Sequence, residues 1–173
     1  IMSRGITNEL VDIFKIGYAN DKWDSLTMFL QKRGLSMRDA EIAGLVQKKK
    51  SGSGYIDRFR NRLMIPIKDV HGNVVGFTGR VIIKSDSPKY LNSPETPIYH
   101  KGQILFGLSD GKQSIKQNKS VIIVEGNLDV VASHKAGVKN VVASSGTALT
   151  DLQINILKRY TDHLIFSFDK DVA

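Results

Sequence analysis

Two apolar segments of this chain each end abruptly in carboxylates, and this arrangement strongly constrains the fold. Residues 121–124 lead directly into Glu125, and residues 164–168 lead into Asp169 and Asp171. Short continuous apolar runs of this kind indicate strands that are buried on both faces, as in parallel sheets. Because ligands bind beyond the carboxyl ends of such strands, the pattern predicts that these acids share one site.

The acids of this predicted site favour a divalent metal ion. Carboxylate ligands without accompanying histidine or cysteine are typical of Mg²⁺ or Mn²⁺ rather than zinc. The candidate metal ligands are Glu125, Asp169 and Asp171. Two alternatives remain open. Both positions could be ordinary strand-to-turn junctions, or one acid could keep its proton in the absence of a cation and act as a general base.

Asp129, four residues after Glu125, is a further candidate for the catalytic site. At the start of the next predicted helix it could face Glu125, or it could be a first-turn acid that the helix dipole favours. Both roles remain open from the spacing alone.

Length and composition fit a globular chain with one medium domain or two small ones. Of the 173 residues, 41% are hydrophobic, and no apolar stretch approaches the roughly 18 residues of a membrane span. No signal peptide is visible. The absence of cysteine excludes disulfides and thiolate metal sites and fits a reducing cytoplasm. Because the chain opens on Ile1 and closes just after a predicted strand end, we expect it to be a piece of a longer protein.

The net charge of +8 is unevenly distributed along the chain. Residues 1–119 hold 20 basic and 11 acidic side chains, whereas residues 120–173 hold 5 basic and 6 acidic ones. This asymmetry favours a polyanion bound by the first part and a metal bound by the second. A generic solvated basic surface is the alternative.

The hydrophobic periodicity predicts an α/β fold with two parts. A mixed α+β N-terminal subdomain covers residues 1–118, and a parallel-sheet subdomain covers residues 119–173. Apolar stripes on the N-terminal helices, including Trp23 and Phe29, are interpreted as core packing. The predicted elements are helices over 9–15, about 23–34, about 36–44, 110–117, 128–136 and 151–160, a hairpin of 62–68 with 74–83, and strands over 120–124, 140–143 and 163–168.

Arg58, Arg60 and Arg62 occupy alternate positions. On a strand they would share one face and form a guanidinium row that could bind a phosphate backbone. Intramolecular salt bridges are the alternative. The segment 144–147 (Ser-Ser-Gly-Thr) either binds an anion through backbone N–H groups or forms an ordinary turn, with Thr147 or Thr150 capping the next helix.

Motifs along the whole chain resemble the catalytic core of the bacterial replicative DNA primases of the DnaG type. The motifs occur in the family's order. They lie at residues 3–6, 14–19, 23–24, 57–67 (Asp-Arg-Phe-Arg-Asn-Arg-Leu-Met-Ile-Pro-Ile), 76–80 (Gly-Phe-Thr-Gly-Arg), 88–96, 100–102 (His-Lys-Gly), 124–131, 146–150 (Gly-Thr-Ala-Leu-Thr) and 168–171 (Phe-Asp-Lys-Asp).

This resemblance implies a basic N-terminal subdomain joined to a toprim subdomain. It implies metal binding by Glu125, Asp169 and Asp171, with Asp129 as a supporting acid. It also implies a basic ridge for template and nucleotide phosphates. The matching basic residues are Arg4, Arg80, Lys89 and Lys101.

Two residues depart from the family pattern. Lys170 stands where the family usually has glycine between the two aspartates, and Asn127 stands where tyrosine is common. On an extended segment the Lys170 side chain should point away from the acids that flank it. The family's further acidic motif, its zinc-containing domain and its helicase-binding domain are expected outside this chain, so the metal site here is expected to be incomplete.

The implied function is synthesis of short RNA primers on a single-stranded DNA template. The implied partners are ribonucleoside triphosphates, the RNA primer and the replicative helicase, with Mg²⁺ or Mn²⁺ as cofactor, in the bacterial cytoplasm and without a membrane. Two rivals are another toprim enzyme, either a topoisomerase or a nuclease, and a non-catalytic single-strand-binding module. A topoisomerase would need a tyrosine nucleophile outside this chain.

Overall fold

A computed structural model describes residues 6–82, 88–145 and 148–168. The chain divides by its contacts into two compact units. Unit 1 takes residues 6–14, residues 67–74 and the described residues from 100 onward. Unit 2 takes residues 15–66 and the described part of 75–99. The subdomain boundary predicted between residues 118 and 119 divides the chain by sequence order, whereas these units are defined by contacts. That boundary stays a prediction.

The described residues form short helices and strands. All six predicted helices, the predicted hairpin and the three predicted parallel strands are among them, whereas the strands at 17–19, 46–48 and 90–92 were not predicted. The helices are α1 (Asn8–Phe14), α2 (Ser25–Lys32), α3 (Met37–Ile42), α4 (Leu108–Asn118), α5 (Asn127–Lys135) and α6 (Asp151–Leu157). The strands are β1 (Gly17–Ala19), β2 (Val46–Lys48), β3 (Tyr55–Asp57), β4 (Arg62–Lys68), β5 (Val74–Val81), β6 (Tyr90–Asn92), β7 (Val121–Val124), β8 (Val141–Ala143) and β9 (Leu164–Phe166).

The predicted hairpin is confirmed as β4 and β5, neighbours in a four-stranded sheet of order β1-β4-β5-β6. Asp69 closes the turn between them, because its carboxylate accepts hydrogen bonds from the backbone N–H groups of His71 and Asn73, both at 2.9 Å. Desolvation alone would raise the pKa of Asp69, but hydrogen bonds from the Asn73 side chain and from the backbones of Asn73, His71 and Gly72 outweigh it and lower the pKa. A separate antiparallel pair joins β2 to β3.

Helix α2 begins at a buried carboxylate that is distant in sequence. Asp57 accepts hydrogen bonds from the backbone N–H groups of Leu26 (2.7 Å) and Thr27 (2.8 Å), so it satisfies two otherwise unpaired donors of the first turn. The residues next to Asp57 in the sequence do not indicate this role.

The interpretation of the whole apolar stripe at α2 as core packing is wrong, because Trp23 is 60% exposed and Phe29 is 50% exposed.

The parallel sheet of unit 1 has the order β8-β7-β9, as the alternation of strand and helix predicts. Val124 of β7 lies opposite Ala143 of β8, and Ile123 lies opposite Phe166 of β9, in parallel register. Val121, Ile123 and Val124 of β7 and Val141 and Val142 of β8 are buried, and fully burying such a side chain contributes about 1.5–3 kcal/mol. The core around them consists of Leu105, Leu108, Ile115, Val121, Ile123, Val142 and Leu157.

Helix α4 contacts β8 closely because Gly111 has no side chain. A Cβ atom at Gly111 would lie 2.5 Å from the carbonyl oxygen of Lys139.

Among the described residues, no helix combines the length and the hydropathy needed to cross a membrane.

Candidate functional site

Glu125 lies at the carboxyl edge of the parallel sheet, one residue after the central strand β7. The last residue of β7, Val124, is buried, whereas Glu125 is exposed. The backbone N–H of Ser167 donates to the carbonyl of Ile123 at 2.9 Å, so β9 is still aligned with β7 one residue beyond its own end. The sheet therefore presents the end of the Glu125 strand beside the segment that leads to residue 168.

The other predicted ligands cannot be placed beside Glu125. Asp169 and Asp171 lie outside the described residues, as do Lys170 and Arg4. Within residues 6–82, 88–145 and 148–168, no three His, Asp or Glu side chains form a group that could hold a metal ion. The three-carboxylate site therefore stays a prediction.

Asp129 occupies the first turn of α5 and turns back to the chain that precedes the helix. Its Oδ2 accepts a hydrogen bond from the backbone N–H of Gly126 at 3.1 Å. A Cβ atom at Gly126 would lie 2.7 Å from that oxygen, so a larger residue there would require the Asp129 side chain to shift. Asp129 thus has the first-turn role, one of the two left open by the spacing. Its supporting role toward a metal stays a prediction.

Asn127 joins the loops that follow two adjacent strands. Its side chain is buried, with 8% of its surface exposed, and its Oδ1 accepts a hydrogen bond from the Ser145 hydroxyl at 2.8 Å. Ser145 has φ +64°, a left-handed conformation that is uncommon for a residue other than glycine. The chain after Glu125 and the chain after β8 are therefore tied together at the candidate site.

The segment that follows β8 ends at a well-formed helix cap. Thr150 Oγ1 accepts from the backbone N–H of Gln153 at 3.2 Å, and Gln153 Oε1 accepts from the backbone N–H of Thr150 at 3.0 Å. This reciprocal pair is a capping box. Of the caps considered for α6, Thr150 is the one observed.

The predicted row of arginines does not form. Strand β3 ends at Asp57 and β4 begins at Arg62, and Asn61 between them has φ +50°, so the chain is not extended through this segment. Among the described residues these guanidiniums form no ion pair with an acid either. They donate instead to carbonyls: Arg58 to Asn92 (3.4 Å), Arg60 to Asp57, and Arg62 to Gly79 (3.2 Å) and Pro88 (2.9 Å).

Burial changes the electrostatics of two of these arginines. It lowers the pKa of Arg58, and burial together with the charge of Arg60 lowers the pKa of Arg62. The Nε atom of Arg58 is buried without a hydrogen-bond partner in the described part of the chain. Arginine keeps its charge in proteins, and the hydrogen bonds that these three guanidiniums form with described residues all go to neutral carbonyls. An anion beside them would be bound favourably.

These arginines surround a polar cavity of about 530 Å³ in unit 2, which we call the arginine pocket. Trp23 lies at its wall, and the guanidinium carbon of Arg60 lies 4.0 Å from the centre of the Trp23 ring. The sequence analysis missed Trp23 as a site residue because its place in an apolar stripe indicated burial. The full lining is Asp21, Trp23, Gln47, Arg58, Arg60, Asn61, Arg62, Val81, Pro88 and Leu91.

A second combination of cations and an aromatic ring lies on β5 and β6. Arg80 is opposite Tyr90 in the strand pair, and its guanidinium carbon lies 5.5 Å from the Tyr90 ring centre. The ammonium of Lys89 lies 5.7 Å from the same ring. Tyr90 is 46% exposed. Two of the predicted basic residues are thus brought together around an accessible aromatic side chain.

Lys101, the remaining described basic candidate, belongs to unit 1. It begins the short 3-10 turn Lys101–Gln103 and is partly buried. Its position relative to Arg80 and Lys89 in unit 2 stays a prediction.

Comparison with known proteins gives consistent matches over the whole chain. The profile of the family "DNA primase catalytic core, N-terminal domain" matches residues 1–112, and a "Toprim-like" profile matches residues 122–173. The DNA primase of Listeria monocytogenes is 40% identical over 173 residues, which cover 100% of this chain and 28% of that protein. The chain therefore spans little more than a quarter of this curated relative.

Solved structures agree with this result. The RNA polymerase domain of Mycobacterium tuberculosis primase DnaG matches with a TM-score of 0.90 and 37% identity, covering 98% of this chain and 57% of that chain. A DnaG primase catalytic domain bound to ssDNA matches with a TM-score of 0.87 and 39% identity, covering 98% of this chain and 52% of that chain. The predicted α/β fold class is confirmed.

Proposed function

Because the chain belongs to the family of DnaG-type bacterial DNA primases, we propose that its parent protein is a DNA-directed RNA polymerase that joins ribonucleotides into short primers on single-stranded DNA. The observation that carries this proposal is the match to primase polymerase domains over 98% of the chain. One of those domains is bound to ssDNA. The same family membership supports a nucleotidyltransferase reaction.

The candidate site fits a divalent metal by the chemistry of its donors. Glu125 lies at the sheet edge where parallel α/β folds bind ligands, and carboxylate oxygens suit Mg²⁺ or Mn²⁺. In the proposal Glu125, Asp169 and Asp171 hold the metal. The bound cation would lower the pKa of the primer 3′-hydroxyl and offset the negative charge on the leaving pyrophosphate. Asp129 fixes the start of α5, and Asn127 fixes the loop beside it.

Template binding is assigned to the exposed aromatic rings and cations of unit 2. Tyr90 with Arg80 and Lys89, and Trp23 with Arg60, each combine a ring on which a base can stack with a cation that attracts phosphate. Such pairs bind single strands with little dependence on base sequence. Arg58 and Arg62 provide further positive charge inside the arginine pocket. Arg4 and Lys101 are proposed as further residues that bind phosphate.

The remaining partners are proposed from family membership. They are ribonucleoside triphosphates, the RNA primer and, through a domain outside this chain, the replicative helicase. A structural zinc is likewise assigned to another domain, and the protein is placed in the bacterial cytoplasm at the replication fork. The match of residues 1–112 to the primase core disfavours a topoisomerase or nuclease, because only residues 122–173 match the broader Toprim-like group.

The proposal is tested by primer synthesis on single-stranded DNA with the full-length protein, with and without Mg²⁺. Wild-type protein should make primers only with the metal, and Glu125→Gln should reduce the rate by about 10²-fold or more, since it removes charge stabilisation at the reacting centre. Asp162→Asn is the matched control, because this exposed acid precedes β9 at the opposite edge of the sheet. Wild-type rates for Glu125→Gln would refute the metal assignment. Binding to single strands without any metal-dependent synthesis would instead support the non-catalytic module.

A further inference from the structure

Gln153 is fully buried in α6, and the structure uses every hydrogen atom of its side-chain amide. Its Nε2 donates to the carbonyl of Lys101 at 3.1 Å and to the carbonyl of Ile104 at 2.7 Å. Its Oε1 accepts from the backbone N–H of Thr150 at 3.0 Å. A buried amide with all donors paired specifies one arrangement of its partners, because any other arrangement leaves a polar group unsatisfied.

Thr150 adds a second bond between the same two segments. Its hydroxyl donates to the carbonyl of Gly102 at 2.6 Å, while the same oxygen caps α6 by accepting from Gln153 N–H. The start of α6 therefore donates hydrogen bonds to three carbonyls in and just after the 3-10 turn. These are the carbonyls of Lys101, Gly102 and Ile104. All of these residues belong to unit 1.

This network connects two of the motifs found in the sequence, the one at 100–102 and the one that ends at Thr150. Lys101 is the cation of the first motif, and its backbone carbonyl accepts one of the hydrogen bonds from α6. Helix α6 fixes the backbone of the turn through these hydrogen bonds. Because α6 follows β8, which is parallel to β7, the helix begins at the same edge of the sheet as Glu125. The position of the Lys101 backbone, from which its side chain extends, is thus determined by α6.

We propose that Gln153, together with Thr150, is a positioning residue for Lys101: it fixes the turn from which this lysine reaches a phosphate of the single-stranded template. The inference rests on the proposed role of Lys101 in phosphate binding. Because the Gln153 side chain is fully buried, it is not accessible to nucleic acid or to a metal ion. The contribution of Gln153 to single-strand affinity is therefore expected to disappear when Lys101 is replaced by alanine.

A double-mutant cycle in the full-length protein tests this coupling. The probe is a fluorescein-labelled single-stranded oligodeoxynucleotide, and its affinity is measured by anisotropy over a series of salt concentrations. The variants are Gln153→Met, which keeps the side-chain length but has no donor, and Lys101→Ala, singly and combined. Thr150→Val and Thr150→Ser form a second pair, of which only the serine keeps the hydroxyl. Thermal unfolding of each variant is recorded in parallel.

The expected result has three parts. Lys101→Ala weakens binding about fivefold and reduces the slope of log affinity against log salt by about 0.7, as loss of one phosphate contact does on single strands. Gln153→Met and Thr150→Val produce a similar reduction of slope, and Thr150→Ser does not. In the Lys101→Ala background, Gln153→Met has no further effect on affinity or slope.

Three outcomes overturn the inference. If Gln153→Met and Thr150→Val leave the salt slope unchanged, the network only stabilises the fold. If Gln153→Met weakens binding equally with and without Lys101, it acts through something other than this lysine. If Lys101→Ala itself changes nothing, the proposed role of Lys101 fails, and the inference fails with it. Should Gln153→Met not fold, the Thr150 pair decides the question, because valine and threonine have nearly the same shape.

Discussion

The hydroxyl of Ser145 donates a hydrogen bond to Oδ1 of Asn127 across 2.8 Å and so connects the chain after β8 with the chain after β7. Asn127 is two residues from Glu125, and it is one of the two positions at which this chain departs from the usual family pattern. The residue that looked anomalous in the sequence therefore has a defined structural partner. A buried amide oxygen needs such a donor, and Ser145 supplies it from a left-handed backbone position.

We expect Asn127→Ala and Ser145→Ala to destabilise the protein by about 1 kcal/mol each, and the double variant to be little worse than either single one. The reason is that both substitutions remove the same hydrogen bond. Thermal unfolding of the full-length protein measures the effect. Ser133→Ala is a suitable control, because the hydroxyl of this serine on α5 donates to the carbonyl of Asp129 in its own helix. Strictly additive losses for Asn127 and Ser145 would show that the bond contributes nothing.

Arg80→Ala and Lys89→Ala should each weaken binding to single-stranded DNA and reduce the salt slope by about 0.7, because each removes one cation beside Tyr90. Anisotropy titrations with a labelled oligodeoxynucleotide at several salt concentrations provide the measurement. Lys32→Ala is the matched control, since Lys32 is an exposed lysine of unit 2 at the end of α2. Unchanged slopes in both site variants would mean that these residues only support the strand pair.

Trp23→Ala should weaken single-strand binding by about 1–3 kcal/mol if a base stacks on the ring, whereas Trp23→Phe should retain much of the affinity. Met28→Ala controls for loss of an exposed apolar side chain from the adjoining helix, because Met28 is 61% exposed. The same titration measures all three proteins. Equal affinity of Trp23→Ala and wild type would show that no base stacks on Trp23 and that its ring only packs against Arg60.

His134 should make the fold sensitive to acid. Burial lowers its pKa, and so does the charge of Lys139, while Asp110 and the bond to the Lys139 backbone oppose the shift. Its Nε2 is buried without a hydrogen-bond partner in the described structure, next to the Phe14 ring. The folded state therefore binds this proton less readily than the unfolded state, so its stabilising effect is present above about pH 6.5 and is lost as the pH falls through the lowered value.

The measurement is the unfolding temperature between pH 7.5 and pH 5.5 for wild type, His134→Gln and His163→Gln. The loss of stability on acidification should be smaller for His134→Gln than for wild type. His163 is exposed, and its variant should behave like wild type. An identical pH dependence in all three proteins would contradict the assignment to His134.

Local sequence signals were sufficient where one segment decides its own structure. The hairpin of β4 and β5 and the parallel strands β7, β8 and β9 follow from short-range patterns, and the structure confirms them. The position of Glu125 directly after β7 was predicted in the same way. In each case the hydrogen bonds or the periodicity involve residues within a few positions of one another.

The sequence by itself thus determined the order of elements, the α/β class, the charge asymmetry and the family. Tertiary structure decided which side chains meet. Only folding brings Asp57 to the first turn of α2, Gln153 to the carbonyl of Lys101, and Ser145 to Asn127. It also turned the alternating arginines toward carbonyls and left Trp23 exposed, against their local patterns. The physical reason is that a buried polar group must find a partner wherever the fold provides one, and periodicity along the chain carries no information about that partner.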